Sequence, residues 1–184
     1  AEFYSEKLFL SIVKHNGFAI GGVPFNHLTP QLLITAIKRD PMALGNIPES
    51  MRSRNLCQIS LEGDLKAIRL VPDKLLMEFA EKVLKIDGQH CRSIINKIDS
   101  RMLEIAVQTT PNAIQYIPPE QITLSMAIKA LEKDGEVLQY IPINLLSKEL
   151  ILLALSTDRF GFVFASIPDE FKDNFKNHEK IILL

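Results

Sequence analysis

A valine or isoleucine followed by proline recurs along most of the chain with a period close to 24 residues. The phrase Gln-Tyr-Ile-Pro occurs twice one period apart, at residues 115–118 and 139–142. A tandem period of this length predicts an array of similar supersecondary units, because each repeat needs its neighbours to bury its apolar face. The prolines of the period are Pro24, Pro48, Pro72, Pro118, Pro142 and Pro168, and Asn96 stands in the remaining slot.

A column of helix-capping residues follows these prolines by five positions. Their side-chain oxygens can accept hydrogen bonds from the free N–H groups at the start of a helix. Apolar residues recur three, four, seven and eight positions later, which predicts an amphipathic helix of about ten residues. The column comprises Thr29, Ser53, Thr123 and Ser147, with Ser5 in the first repeat, Asp99 and Asp173 where the spacing shifts, and Met77 as the exception.

A second column of capping residues follows the first by eleven positions. Pro41 and Pro111 stand directly after two of its members, as suits the first position of a helix. A second helix of six or seven residues is predicted here, and the Val/Ile-Pro pair ends it because the residue before proline disfavours the α conformation. The column reads Asn16, Asp40, Asp64, Gly88, Thr110, Asp134 and Asp158.

Each repeat is therefore predicted to be a helical hairpin, and the chain an all-α protein, an α-solenoid of about seven stacked hairpins. We expect a single helical-repeat domain over residues 5–184, preceded by linker or expression-vector residues 1–4. The predicted repeats, numbered one to seven, cover residues 5–28, 29–52, 53–76, 77–98, 99–122, 123–146 and 147–172, with a partial repeat at 173–184.

Two repeats depart from the pattern. The fourth lacks both the capping hydroxyl and the proline, so we expect it to be the least regular. The seventh carries two extra residues around Phe160-Gly161-Phe162. Neither end of the array has a polar capping repeat, and the chain leaves on the apolar run 181–184. We therefore expect the chain to be a segment cut from a longer protein.

Composition excludes several classes of function. The 21 basic and 22 acidic residues nearly balance, which argues against nucleic acid as a partner. The longest apolar runs are too short to cross a bilayer, so no membrane insertion is expected. Two cysteines are too few for a disulfide framework and indicate a reducing compartment such as the cytoplasm.

Candidate catalytic groups are few. Cys57 and Cys91 are the only thiols, and both fall in columns that other repeats fill with apolar residues, so they are predicted to be buried. The periodic aspartates are better explained as helix caps than as a row of ligands, and no Cys or His pair has metal-ligand spacing. The sequence thus predicts no catalytic residues, no metal and no cofactor. The candidate bases are His15, His27, His90 and His178.

The repeated Gln-Tyr pairs are the candidate partner-binding residues. Gln115, Tyr116, Gln139 and Tyr140 lie one repeat apart, and tyrosine is enriched at interface anchors. The alternative is that both rings fill gaps between hairpins with their hydroxyls at the rim. The apolar segment 160–165 is predicted either to fill the core or to form a partner-binding pocket, and the core interpretation is favoured.

The repeat pattern Ala/Val-x-x-Asp-Gly-x-Ala-Leu-x-x-Ile-Pro resembles a bacterial helical tandem-repeat family of unknown function that is found in translocated effector proteins. Residues 12–24, 36–48 and 130–142 carry it, and the fourth and seventh repeats depart from it. The resemblance implies a scaffold without catalytic residues, located in the cytoplasm or, for an effector, secreted into a host cell.

These observations favour a non-enzymatic protein–protein interaction module, a segment of a larger effector-like protein. Its partner would be another protein or another domain of the parent chain. The alternative is a substrate-recruiting or autoinhibitory repeat arm of a multidomain enzyme whose catalytic domain lies outside this chain. A third hypothesis places a cryptic site at Cys91 with a histidine as base.

Overall fold

The computed structural model describes residues 6–175, and all regular elements in that range are helical. This confirms the all-α prediction for those residues. The predictions for residues 1–5 and 176–184, including the Ser5 cap, His178 and the end of the partial repeat, lie outside the described residues. The described residues divide into two compact halves, an N-terminal half that ends at Val83 and a C-terminal half that begins at Leu84.

Short and long helices alternate along the chain. Nine are α-helices within the described range: α1 Glu6–His15, α2 Pro30–Arg39, α3 Arg54–Gly63, α4 Asp73–Ile86, α5 Ser100–Thr109, α6 Leu124–Leu131, α7 Lys148–Ser156, α8 Val163–Ser166 and α9 Asp169–Lys172. Between them lie 3₁₀ helices of six residues, at Gly17–Gly22, Pro41–Asn46, Leu65–Leu70, Gly88–Ser93, Pro111–Tyr116 and Gly135–Tyr140.

Five α-helices, α2, α3, α5, α6 and α7, begin where the first capping column predicts. The side-chain oxygen of each capping residue accepts a hydrogen bond from the N–H three positions later, over 2.9 Å at Asp99 and 3.2–3.4 Å at the others. Asp173 is the exception, because it directly follows α9 in a helical conformation and opens the 3₁₀ helix Asp173–Phe175. The confirmed caps are Thr29, Ser53, Asp99, Thr123 and Ser147.

In repeats one to six the second helix has six residues as expected, but it is a 3₁₀ helix. In the seventh repeat it is shorter than expected, since α8 has only four residues. The N–H of Ala43 bonds to the carbonyl of Asp40, three residues back, as does that of Ile47 to Leu44. A 3₁₀ helix rises about 2.0 Å per residue, so six residues span roughly 12 Å, whereas six residues of α-helix would span roughly 9 Å. The short helix is therefore closer in length to the ten-residue α-helix beside it, which spans roughly 15 Å. Most prolines are followed by a further 3₁₀ turn that the sequence did not predict, at Phe25–His27, Glu49–Met51, Pro119–Gln121 and Ile143–Leu145.

The fourth predicted repeat is irregular, as expected, and its register differs by one residue from the prediction. α4 starts directly after Pro72 and runs for 14 residues. The second cap is Asp87 rather than Gly88, since its carboxylate accepts the N–H of Gln89 at 2.9 Å. Ile95, directly before Asn96, was the expected equivalent of the Val or Ile that precedes each proline, but with this shift Ile94 takes that position. No proline follows Ile94, and its ψ of 12° departs from the extended values of the other members.

Both halves bury an apolar core between successive helices. α2 packs on the short helix Gly17–Gly22 of the preceding repeat, and α3 packs on Pro41–Asn46. In the C-terminal half, α5, α6 and α7 pack in the same way on the short helices that precede them by one repeat. Residues such as Ala36, Ile37, Met126 and Ala130 are completely buried as a result.

Candidate functional site

The two extra residues of the seventh repeat lie in an ordered loop, residues 158–162, between α7 and α8. The carboxylate of Asp158 accepts hydrogen bonds from the backbone N–H groups of Phe160 (3.2 Å), Gly161 (2.8 Å) and Val163 (3.0 Å). Gly161 has a φ of 78°, in the left-handed region that favours glycine. Three bonds to one side chain fix the path of this loop.

The loop presents two phenylalanine side chains to solvent. Phe160 is 71% exposed and Phe162 is 63% exposed, and their ring centroids lie 6.3 Å apart. Val163 is completely buried, and Phe164 packs against the core of the C-terminal half. The core interpretation of this segment is therefore confirmed for Val163 and wrong for Phe160 and Phe162, because the inserted turn leaves the buried position to Val163.

A cleft of about 320 Å³ lies beside Phe160. Asp134 in its wall is already engaged, because its carboxylate accepts the N–H of Glu136 and the side-chain amide of Asn112, each at 3.0 Å. Within the described part of the chain, the charged groups of Glu136 and Arg159 form no ion pair. The cleft therefore combines an apolar wall with one free carboxylate and one free guanidinium. Its lining residues are Pro111, Lys133, Asp134, Glu136, Thr157, Arg159 and Phe160.

The predicted Gln-Tyr pairs lie at the C-terminal ends of two short helices, and none of the four residues lines this cleft. Gln115 and Gln139 are exposed, and each side-chain amide donates to the carbonyl three residues earlier, at 2.9 and 3.1 Å. Tyr116 and Tyr140 are half-buried. Their rings pack on the cores of the C-terminal half, in the manner of the gap-filling alternative. Partner binding by these residues stays a prediction.

The two cysteine side chains are buried and free, which confirms the packing interpretation. Burial raises the pKa of both thiols, that of Cys91 to about 11. A thiol with so high a pKa stays protonated at neutral pH and is a poor nucleophile. With Gly88 as the second cap, Cys91 would align with Ala43 and Ala113. Because the cap is Asp87, Cys91 aligns instead with Leu44 and Ile114, four residues after their caps.

Residues 6–175 contain neither a metal-binding cluster nor a membrane-spanning helix. Within that range, no cluster of three or more His, Cys, Asp or Glu side chains could hold a metal ion. No helix in the same range is long and apolar enough to cross a membrane. The periodic acids act as caps at Asp64 and Asp134, where each carboxylate accepts the N–H two residues later.

The segment around the loop matches a known family model. The family is described as a domain of unknown function, DUF4116, and the match covers residues 125–172. This range contains α6, α7 and the loop with Phe160 and Phe162, and it corresponds to most of the sixth and seventh predicted repeats. No curated protein and no solved structure matches the chain.

Proposed function

We propose that this chain is a protein-interaction module, an α-solenoid of stacked helical hairpins that binds its partner through an aromatic loop surface. This surface consists of Phe160, Phe162 and the adjoining cleft. The partner is another protein or another domain of the parent chain. The observation that carries the proposal is the exposure of two neighbouring phenylalanines on a loop whose backbone is held by Asp158.

Binding energy at this surface would come mainly from the two rings. Complete burial of a phenylalanine side chain contributes about 1.5–3 kcal/mol. Aromatic anchors of this kind dominate many interfaces, and their contribution is larger when the loop that carries them is ordered before binding. The free guanidinium of Arg159 and the free carboxylate of Glu136 are suited to orient a partner, since charges near the rim add specificity.

The repeated packing of each α-helix on the preceding short helix supports the solenoid part of the proposal. Stacked hairpins generate extended surfaces, which are used for binding other proteins. The Gln-Tyr pairs provide a second surface in the same half. We rank this surface second to the aromatic loop surface as a candidate binding site. Tyr116 and Tyr140 are half-buried, and both glutamine amides already donate to backbone carbonyls.

Affinity capture followed by binding of purified components tests the proposal. The full chain is used as bait in lysate from eukaryotic cells, because the repeat pattern resembles that of translocated effectors. The captured partner is then purified, and its affinity is measured for the wild type and for Phe160→Ala/Phe162→Ala. We expect the double variant to weaken binding at least tenfold, on the order of 1.4 kcal/mol.

Two further variants control for surface and stability. Phe25→Ala removes a phenylalanine that is 67% exposed in the N-terminal half, so it should bind as the wild type does. Tyr116→Ala/Tyr140→Ala reports on the Gln-Tyr pairs, after circular dichroism has shown intact helicity. Loss of binding in the tyrosine variant with retention in the phenylalanine variant would move the site to the Gln-Tyr pairs.

A further inference from the structure

One position of the helical hairpins is completely buried in five of the predicted repeats but exposed in the first. It lies four residues before the second cap, where repeats two, three, five, six and seven place Ala36, Ser60, Ala106, Ala130 and Ala154. The first repeat has Ile12 there, and its side chain is 42% exposed. Leu8 is equally exposed, although its counterparts Leu32 and Leu56 are buried. α1 thus presents an apolar face that other repeats bury.

In the other repeats, the short helix of the preceding hairpin covers this position. The buried hydroxyl of Ser60 donates to the carbonyl of Pro41, the first residue of that short helix, at 2.7 Å. A Cβ atom built on Gly17 would lie 2.3 Å from the carbonyl oxygen of Ala36, so these two backbones are in direct contact. The Gly88–Ala106 and Gly135–Ala154 pairs repeat the contact in the C-terminal half.

The exposed face of α1 adjoins an apolar cleft of about 370 Å³. Among residues 6–175, no charged side chain lines this cleft. Its walls come from α1, from the short helix Gly17–Gly22 and from Val23 and Pro24, which follow that helix. The same elements in the later repeats receive the preceding hairpin. The lining residues are Phe9, Ile12, Ala19, Gly22, Val23 and Pro24.

We propose that this face is a docking surface for one more helical hairpin of the same repeat type, placed in line ahead of Glu6. Its six-residue helix would pack on Ile12, since the face continues the contact that Ala36 and Ser60 make with their preceding hairpins. Ile12 is larger than alanine, but Val83 occupies the same column four residues before Asp87 and is buried. A branched side chain at this position is therefore compatible with burial.

Extension of the chain tests this inference. A copy of residues 53–76, the hairpin that naturally precedes a branched residue in this column, is joined directly ahead of Ser5. We expect the extended chain to unfold in one transition with a Tm higher by roughly 5 °C, and amide exchange in α1 to slow. An extension with residues 29–52 serves as a second variant if the first is insoluble.

Two substitutions localise the effect. Ile12→Lys should change the original chain little, because the side chain is partly exposed, but it should abolish the gain in Tm on extension. Phe25→Lys, at an exposed position outside the cleft, should leave the gain intact. The proposal is overturned if the added hairpin melts or is digested separately, or if the gain survives Ile12→Lys. Concentration-dependent dimerisation of the original chain that Ile12→Lys abolishes would instead identify a second copy as the occupant.

Discussion

The backbone N–H of Gly17 donates a 2.6 Å hydrogen bond to the carboxylate of Asp40 in the next repeat. Asp40 holds the same capping position there as Asn16 does before Gly17. Asp40 correspondingly accepts no bond from its own short helix. The N–H of Gly88 bonds in the same way to the hydroxyl of Thr110, at 2.9 Å. Because proline has no N–H to donate, no such bond can reach Asp64 from Pro41, and Asp64 caps its own helix.

Substitution of Gly17 by alanine should be strongly destabilising. The new Cβ would lie 2.3 Å from the carbonyl oxygen of Ala36 and 2.9 Å from the Asp40 side chain, so α2 would have to move. We expect a loss of about 2 kcal/mol or more in the free energy of unfolding, measured by urea denaturation. Gly22→Ala is the matched control in the same short helix, because no atom lies within 4 Å of its added Cβ. Equal effects of the two substitutions would contradict the contact.

Arg52 should contribute more to stability than its neighbour Arg54. Its guanidinium donates from three nitrogens to the backbone carbonyls of Ile47 (2.8 Å), Leu70 (2.9 Å) and Gly45 (3.2 Å). Arg52→Leu removes all three bonds, and we expect the free energy of unfolding to fall by about 1–3 kcal/mol. The stability of Arg52→Lys should lie between those of the wild type and Arg52→Leu, since an ammonium group cannot donate to all three carbonyls in the geometry of the planar guanidinium.

Arg54→Ala is the control for this prediction. Arg54 forms an ion pair with Glu78 on the exposed surface, and such pairs contribute little to stability. A urea midpoint as low for Arg54→Ala as for Arg52→Leu would show that removal of positive charge, rather than of the carbonyl bonds, causes the loss.

Local chemistry in the sequence was sufficient to predict the α-helix starts. Thr29 and Thr123 show why, because a capping oxygen, an apolar residue before it and a 3.6-residue apolar period all indicate the same boundary at each of them. The buried state of Cys57 followed from the same alignment of columns. These features depend on interactions within a few residues or on the common core of all repeats.

Three features were missed because the sequence pattern at each of them fits more than one local structure. Six residues between a cap and a pre-proline residue are too few for periodicity to separate a 3₁₀ helix from an α-helix. The shift to Asp87 in the fourth repeat was hidden because Gly88 also suits a turn. Exposure of Phe160 and Phe162 depends on the three bonds that Asp158 makes around the inserted turn. The insertion itself was the available signal for this site.

Asp158 should control the order of the aromatic loop. Asp158→Ala leaves three N–H groups without their acceptor, so we expect faster amide exchange at residues 160–163 and weaker partner binding with both phenylalanines still present. Asp158→Asn keeps one acceptor oxygen and should restore part of both properties. Gly161→Ala should also disorder the turn, because a left-handed φ of 78° costs an alanine about 1–2 kcal/mol. Unchanged exchange in Asp158→Ala would show that packing alone holds the loop.

The Cys91 thiol should make stability fall at alkaline pH. Burial raises its folded-state pKa to about 11, whereas an unfolded cysteine has a pKa of about 8.5. The folded protein therefore holds this proton more tightly, and the resulting stabilisation is complete below the unfolded pKa and is lost as the pH rises towards the folded one. We expect the wild type to exceed Cys91→Ala in unfolding free energy by a constant amount up to about pH 8. This excess should then decrease as the pH rises to about 11. Lysine and tyrosine titrations affect both proteins and cancel in that difference. A constant difference across the range would mean that solvent reaches the thiol in the folded state.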